Sequence, residues 1–183
     1  MTSDESKIRQ ALGKAGLYRV IFWILLDDVV ARPIGRATGL HWLSDAIFIA
    51  GLAALIKGYT GIGTRQIGEA LRRSEVSATP EYAEVLIKCM GYNSIRPSVW
   101  DKLCEGIEAM DAATARKIDS GFRKRLYKYA CGGPWFAASV VFEKAADIGD
   151  KDALRFIDRA IRRRDLPVEA REHLQRLADQ LTA

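Results

Sequence analysis

The chain lacks the residue clusters on which most recognisable chemistry rests. Its 183 residues hold only two histidines, His41 and His173, far apart in sequence. No H-E-x-x-H, Cys/His cluster or D-x-D-x-D-G loop occurs, so no zinc or calcium site is expected. No G-x-S-x-G turn occurs, and no spacing supports pairing Cys131 with His173 as nucleophile and base. Gly61-Ile62-Gly63-Thr64 precedes a helical pattern, but no strand comes before it and no G-K-[ST] follows. These glycines read as a helix stop and a joint. No cofactor is expected, and an enzyme is the least supported class.

Three cysteines, Cys89, Cys104 and Cys131, are odd in number and form no C-x-x-C pair. That fits reduced thiols in a cytoplasmic protein better than a secreted disulfide framework. Cys131 follows a basic stretch, so a lowered thiol pKa is expected there if anywhere. Only five prolines and no low-complexity run occur, which argues against disorder. Long hydrophobic runs are missing too. Val20–Leu26 is only seven residues long and ends at Asp27 and Asp28, so neither a signal peptide nor a spanning helix is expected there.

What is present is helix punctuation. Apolar residues recur at helical spacing, and strand alternation is nearly absent. The expected fold is all-α: an irregular bundle of about eight to ten helices in one domain of 183 residues. Two sub-layers are expected, an apolar hairpin over 1–60 and a charged part over 61–183. The first helix is expected to end near Leu12, weakened by Gly13 and Gly16. Leu17 to Val30 reads as a second, stopped by Pro33, and Pro33-Ile34-Gly35 as the connector to a helix from His41 to Lys57. Thr64, Thr79-Pro80 and Pro97-Ser98 mark later helix starts. One helix is expected from Asp111 to about Ala130, with Ile118, Phe122, Leu126 and Tyr129 as its apolar stripe. The last three helices, from Pro134, Asp150 and Pro167, are expected to stack like helical repeats, with Val168, Leu174, Leu177 and Leu181 inward.

The net charge is +5, and much of the excess is local. Residues 111–133 carry six basic side chains against two acidic ones. Arg116, Lys117, Arg123, Lys124, Arg125 and Lys128 form a candidate surface for an anionic partner such as a nucleic acid. The other unusual region is 17–59. Ala46–Ile56 is an uninterrupted apolar run of eleven residues. Runs of that length usually mean core helices, so the stretch is expected to be hidden inside the chain's own fold. The alternative is membrane association, with Trp42, Phe48, Leu55 and Tyr59 as contacts. Asp27, Asp28 and Asp45 are read as exposed or paired with Arg19, Arg32 or Arg36, with a carboxylate pair acting on a cation as the functional alternative.

The sequence thus points to a non-catalytic helical interaction or adaptor protein that binds an unidentified protein through charged helix faces. Membrane insertion of the apolar hairpin and nucleic-acid binding by residues 116–128 are the alternatives.

Overall fold

The computed structural model describes residues 3–56 and 64–183; the side chains of Ser3, His41, Leu43 and residues 52–56 lie outside that description. The fold is all-α, with no strand among the described residues. The chain divides into two compact units, Met1–Ser74 with Cys89–Ser98 as unit 1 and Glu75–Lys88 with Val99–Ala183 as unit 2.

Unit 1 opens with a helical rod that does not stop where sequence punctuation puts its ends. Helix α1 (Ser3–Leu25) runs through Gly13 and Gly16. It passes into one π turn, Leu26–Ala31, and on into α2 (Arg32–Thr38). Ile8, Ala11 and Ala15 of α1 are buried, as are Ile67 and Leu71 of α4 (Thr64–Arg73), which packs on α1. That packing outweighs the cost of two glycines, each about 1 kcal/mol.

Pro33 does not break the rod. The Arg32 N–H bonds back to the carbonyl of Asp27, five residues earlier, so the turn is already wide when the proline arrives. A wide turn relaxes the clash between a proline ring and the carbonyl four residues back. The reversal comes instead at Gly39, whose φ of 68° lies in the left-handed region that closes helices. Helix α3 (His41–Ile56) then returns along α2 and the π turn.

Unit 2 carries α5 (Pro80–Cys89, to Lys88), α6 (Arg96–Ala109, from Val99), α7 (Ala112–Arg116), α8 (Ser120–Cys131), α9 (Trp135–Asp147), α10 (Leu154–Ile161) and α11 (Val168–Thr182). Thr79 caps α5 as its sequence announces, its hydroxyl 3.4 Å from the Tyr82 N–H. Phe142, Leu103, Ile107, Ile157 and Leu174 are among its fully buried side chains. α10 and α9 both pack on α11, and α8 packs on α9 and α10.

The helix expected from Asp111 to Ala130 is two. Asp111 caps α7 through the Thr114 N–H. Asp119 then caps α8 by accepting from the Gly121 and Phe122 N–H groups. Ile118 is buried in the break, and Tyr127 is buried while Phe122 and Tyr129 are half exposed, so the expected stripe is displaced. Val168, expected to point inward, is the first residue of α11 and is exposed; Leu174, Leu177 and Leu181 are buried.

Candidate functional site

The sequence predicts that the apolar side chains of 17–56 are covered by other helices of the chain. Among the described side chains, many large ones are not. Leu17, Val20, Ile21, Ile24 and Leu25 of α1 are all exposed, as are Val29 and Val30 of the π turn. On α3, Trp42 is 65% and Ile49 63% exposed. The rod and α3 cover each other only along their shared seam. There Trp23 and Phe48 meet as a tilted aromatic pair with ring centroids 5.3 Å apart. Gly51 faces Leu26 so closely that a Cβ placed on it would lie 2.1 Å from Leu26 Cδ2. A soluble monomer rarely leaves so many large apolar side chains together in water, and such patches mark contact surfaces.

Of the residues expected to touch a membrane or partner, Trp42 is on this surface and Phe48 is half-buried in the seam. Leu55 and Tyr59 lie outside the described side chains. Sequence reasoning missed the α1 row, Leu17, Ile21 and Ile24. Their spacing of three and four was visible, but spacing alone does not say whether a row faces core or solvent.

Asp27 and Asp28 are paired. Arg32 lies 2.7 Å from Asp27 and 2.7 Å from Asp28. Asp28 sits at ordinary i,i+4 spacing, and Asp27 is one residue further back, reached through the π turn. Asp45 is exposed. Asp27 and Asp28 therefore form a local ion cluster with Arg32.

In unit 2 the six basic residues of 116–128 divide in their work. Arg123 donates to Asp150 at 2.7 Å and to the carbonyls of Arg116 and Ile118 at 3.0 and 2.6 Å. It thereby caps the end of α7. Arg116 donates to the Ile148 carbonyl at 3.2 Å, and Lys124 lies 3.1 Å from Asp152. Arg125 stacks near Phe122. Lys117 and Lys128 are exposed. The segment is thus partly internal scaffold.

Burial pushes the Cys131 thiol up, against the lowering pull of Arg159 and Arg163. The expected lowering does not occur, because desolvation of a thiolate outweighs two neighbouring cations. Cys89 and Cys104 are pushed up to about 12 by burial, Cys104 also by Glu108 and Asp101.

His173 sits with Glu143 at 2.8 Å and Ser139 at 3.4 Å. Both contacts use Nε2, and the Ser139 hydroxyl donates directly to Glu143 at 2.6 Å. In a nucleophilic triad the acid holds the other ring nitrogen and the histidine takes the serine proton. This triangle has neither feature. Among the described residues no group of three or more His, Cys, Asp or Glu is placed to hold a metal. No described helix is long and apolar enough to cross a membrane. Comparison with protein-family models, curated proteins and solved structures finds no match.

Proposed function

We propose that the chain is a non-catalytic, membrane-associated interaction protein that seats the apolar hairpin of α1, the π turn and α3 in a membrane without crossing it. The observation that carries this reading is the uncovered row of Leu17, Ile21 and Ile24, with Trp42 and Ile49 bare on the returning helix.

Apolar runs of about 10–14 residues serve as buried core helices or as re-entrant and interfacial membrane segments. Exposure of these side chains argues against the first use. The apolar part of α1, from Leu17 to Leu25, is only about 13 Å long at 1.5 Å per residue, well short of the ~30 Å hydrocarbon layer. Shallow insertion suits that length. Trp42, Tyr18 and Trp23 supply the amphipathic rings favoured at a membrane surface. Arg32 is paired with two carboxylates, which lowers the cost of that cation near an apolar layer but leaves the cluster one net negative charge, so it belongs at the polar edge of the layer.

A second reading is a protein partner with an apolar groove. The Asp27–Arg32–Asp28 cluster supports it, because a protein groove supplies polar partners that hydrocarbon does not. The nucleic-acid reading is less supported, since Arg116, Arg123 and Lys124 are engaged within unit 2.

Membrane fractionation separates the readings. The membrane reading expects the full chain to sediment with membranes, resist a high-salt wash and dissolve in detergent, because apolar burial is not screened by salt. Recovery in the soluble fraction as a stable complex with another protein would transfer the hairpin to the second reading.

A further inference from the structure

Within unit 1, α1 and α4 leave between them a groove of about 280 Å³. Lys7, Gln10 and Lys14 line it from α1, and Gln66, Glu69 and Arg73 from α4. Lys7 is paired with Asp4 at 2.8 Å. Glu69 is held by Arg65 at 3.0 Å, and that hydrogen bond, with Arg72 and Arg73 nearby, keeps its carboxyl below the usual range. Lys14 and Arg73 have no carboxylate within ion-pair distance among the described residues.

Position decides which anion this groove suits. Lys7, Lys14 and Ile21 stand seven residues apart, close to two helical turns, so they share one face of α1. Leu17 begins about 4.5 Å beyond Lys14 along the axis. The cationic face therefore runs directly into the exposed apolar row. A soluble phosphate has no use for that row. A lipid has a phosphate at the headgroup and hydrocarbon beneath it, and so matches both parts.

We propose that the α1–α4 groove binds the headgroup phosphate of an anionic lipid through Lys14 and Arg73, with Lys7 beside them. This rests on the membrane reading of the hairpin, and it adds the lipid class and the residues that choose it.

The test is flotation of the full chain with two vesicle types, pure phosphatidylcholine and phosphatidylcholine mixed with phosphatidylglycerol. The wild type is expected to partition at least about tenfold more strongly to the anionic vesicles, since each cation near such a surface contributes roughly fivefold. Lys14→Gln with Arg73→Gln removes that preference and leaves binding to the neutral vesicles as it was. Both positions are solvent-exposed, so the variant keeps the wild-type circular dichroism spectrum. Lys14→Arg with Arg73→Lys keeps the preference. Equal partitioning of the wild type to both vesicles, or an anionic preference surviving in the double glutamine variant, overturns the groove site while leaving the hairpin reading standing. Failure to float with either vesicle overturns both. Inorganic phosphate in excess over lipid, at constant ionic strength, is expected to leave the preference intact. If it abolishes the preference, the groove is a site for soluble phosphate and the lipid assignment is wrong.

Discussion

Arg32 reaches Asp27 at 2.7 Å across five residues, a spacing that a regular α-helix does not bring together. The π turn does, and the same widened turn carries the chain past Pro33 without ending the rod. Replacing Arg32 by Met leaves Asp27 and Asp28 adjacent and unpaired. All three side chains are partly exposed, so the loss is expected to be modest, about 0.5–1 kcal/mol. Thermal denaturation followed by circular dichroism checks this. A loss several times larger would mean that the cluster, rather than the packing of α1 on α4, holds the rod.

Gly51 is where α3 comes nearest the rod. Its missing side chain makes room for Leu26, and the atom in the way is the tip of a flexible chain. Gly51→Ala is therefore expected to be nearly neutral, because Leu26 can turn aside and alanine favours the helix. Gly51→Ile cannot be accommodated that way, and a cost of about 1–3 kcal/mol is expected. Denaturant unfolding of the two variants side by side distinguishes a tight seam from a loose one.

Asp150 binds unit 2 together by accepting from Arg123 at 2.7 Å and from the Tyr127 hydroxyl at 2.8 Å. Burial works to raise its carboxyl, but the hydrogen bonds from Tyr127 and Arg123 win and hold it below the usual value. A depressed folded value means stability that is present above the unfolded value, near 3.9, and is lost as pH falls through the folded one. Asp150→Asn is expected to cost about 2 kcal/mol at neutral pH, the scale of a charged hydrogen bond. The variant is also expected to lose part of the stability change that the wild type shows below about pH 4. Melting curves from pH 7 down to pH 3 test both statements together.

Native thiol reactivity follows from burial. Cys89 and Cys104 sit at about 12 and Cys131 is raised as well, so very little thiolate exists near neutral pH. Iodoacetamide at pH 8 is expected to leave all three unmodified in the folded protein and to label all three in denaturant. Mass spectrometry of the intact chain reads the result. Fast native labelling of Cys131 would show that its burial is not as described.

Much of this fold is legible in the sequence, and the exceptions have physical causes. Thr79-Pro80, Pro134 and Pro167 announce helix starts that the structure keeps, because they act locally: Pro80 is the first residue of α5, and Pro134 and Pro167 are the extended residues just before α9 and α11. Pro33 misleads, because its usual effect assumes a regular α-helix before it and the π turn removes that assumption. Gly39 was available as the reversal, being a glycine just after the last residue of α2, but Pro33 is the louder signal. Asp119 splits the expected long helix because its side chain satisfies two N–H groups while Arg123 caps the carbonyls behind it. That second bond depends on packing, which no local pattern encodes. The same limit hid the site. Ile21 and Ile67 are equally apolar, yet one is exposed and the other fully buried. Only the arrangement of helices separates them.

The central claim is that the hairpin's bare side chains are the surface that enters a membrane, and paired glutamates test it most directly. Ile21 and Ile49 are both exposed, so Ile21→Glu with Ile49→Glu is expected to leave helicity and melting temperature close to wild type. On vesicle flotation the wild type is expected to rise with the lipid, and the double variant to lose at least about tenfold in partitioning, since an acidic side chain in the apolar layer costs roughly 2.5 kcal/mol or more. A wild type that stays with the aqueous fraction, or a double variant that floats as well as the wild type, contradicts the account.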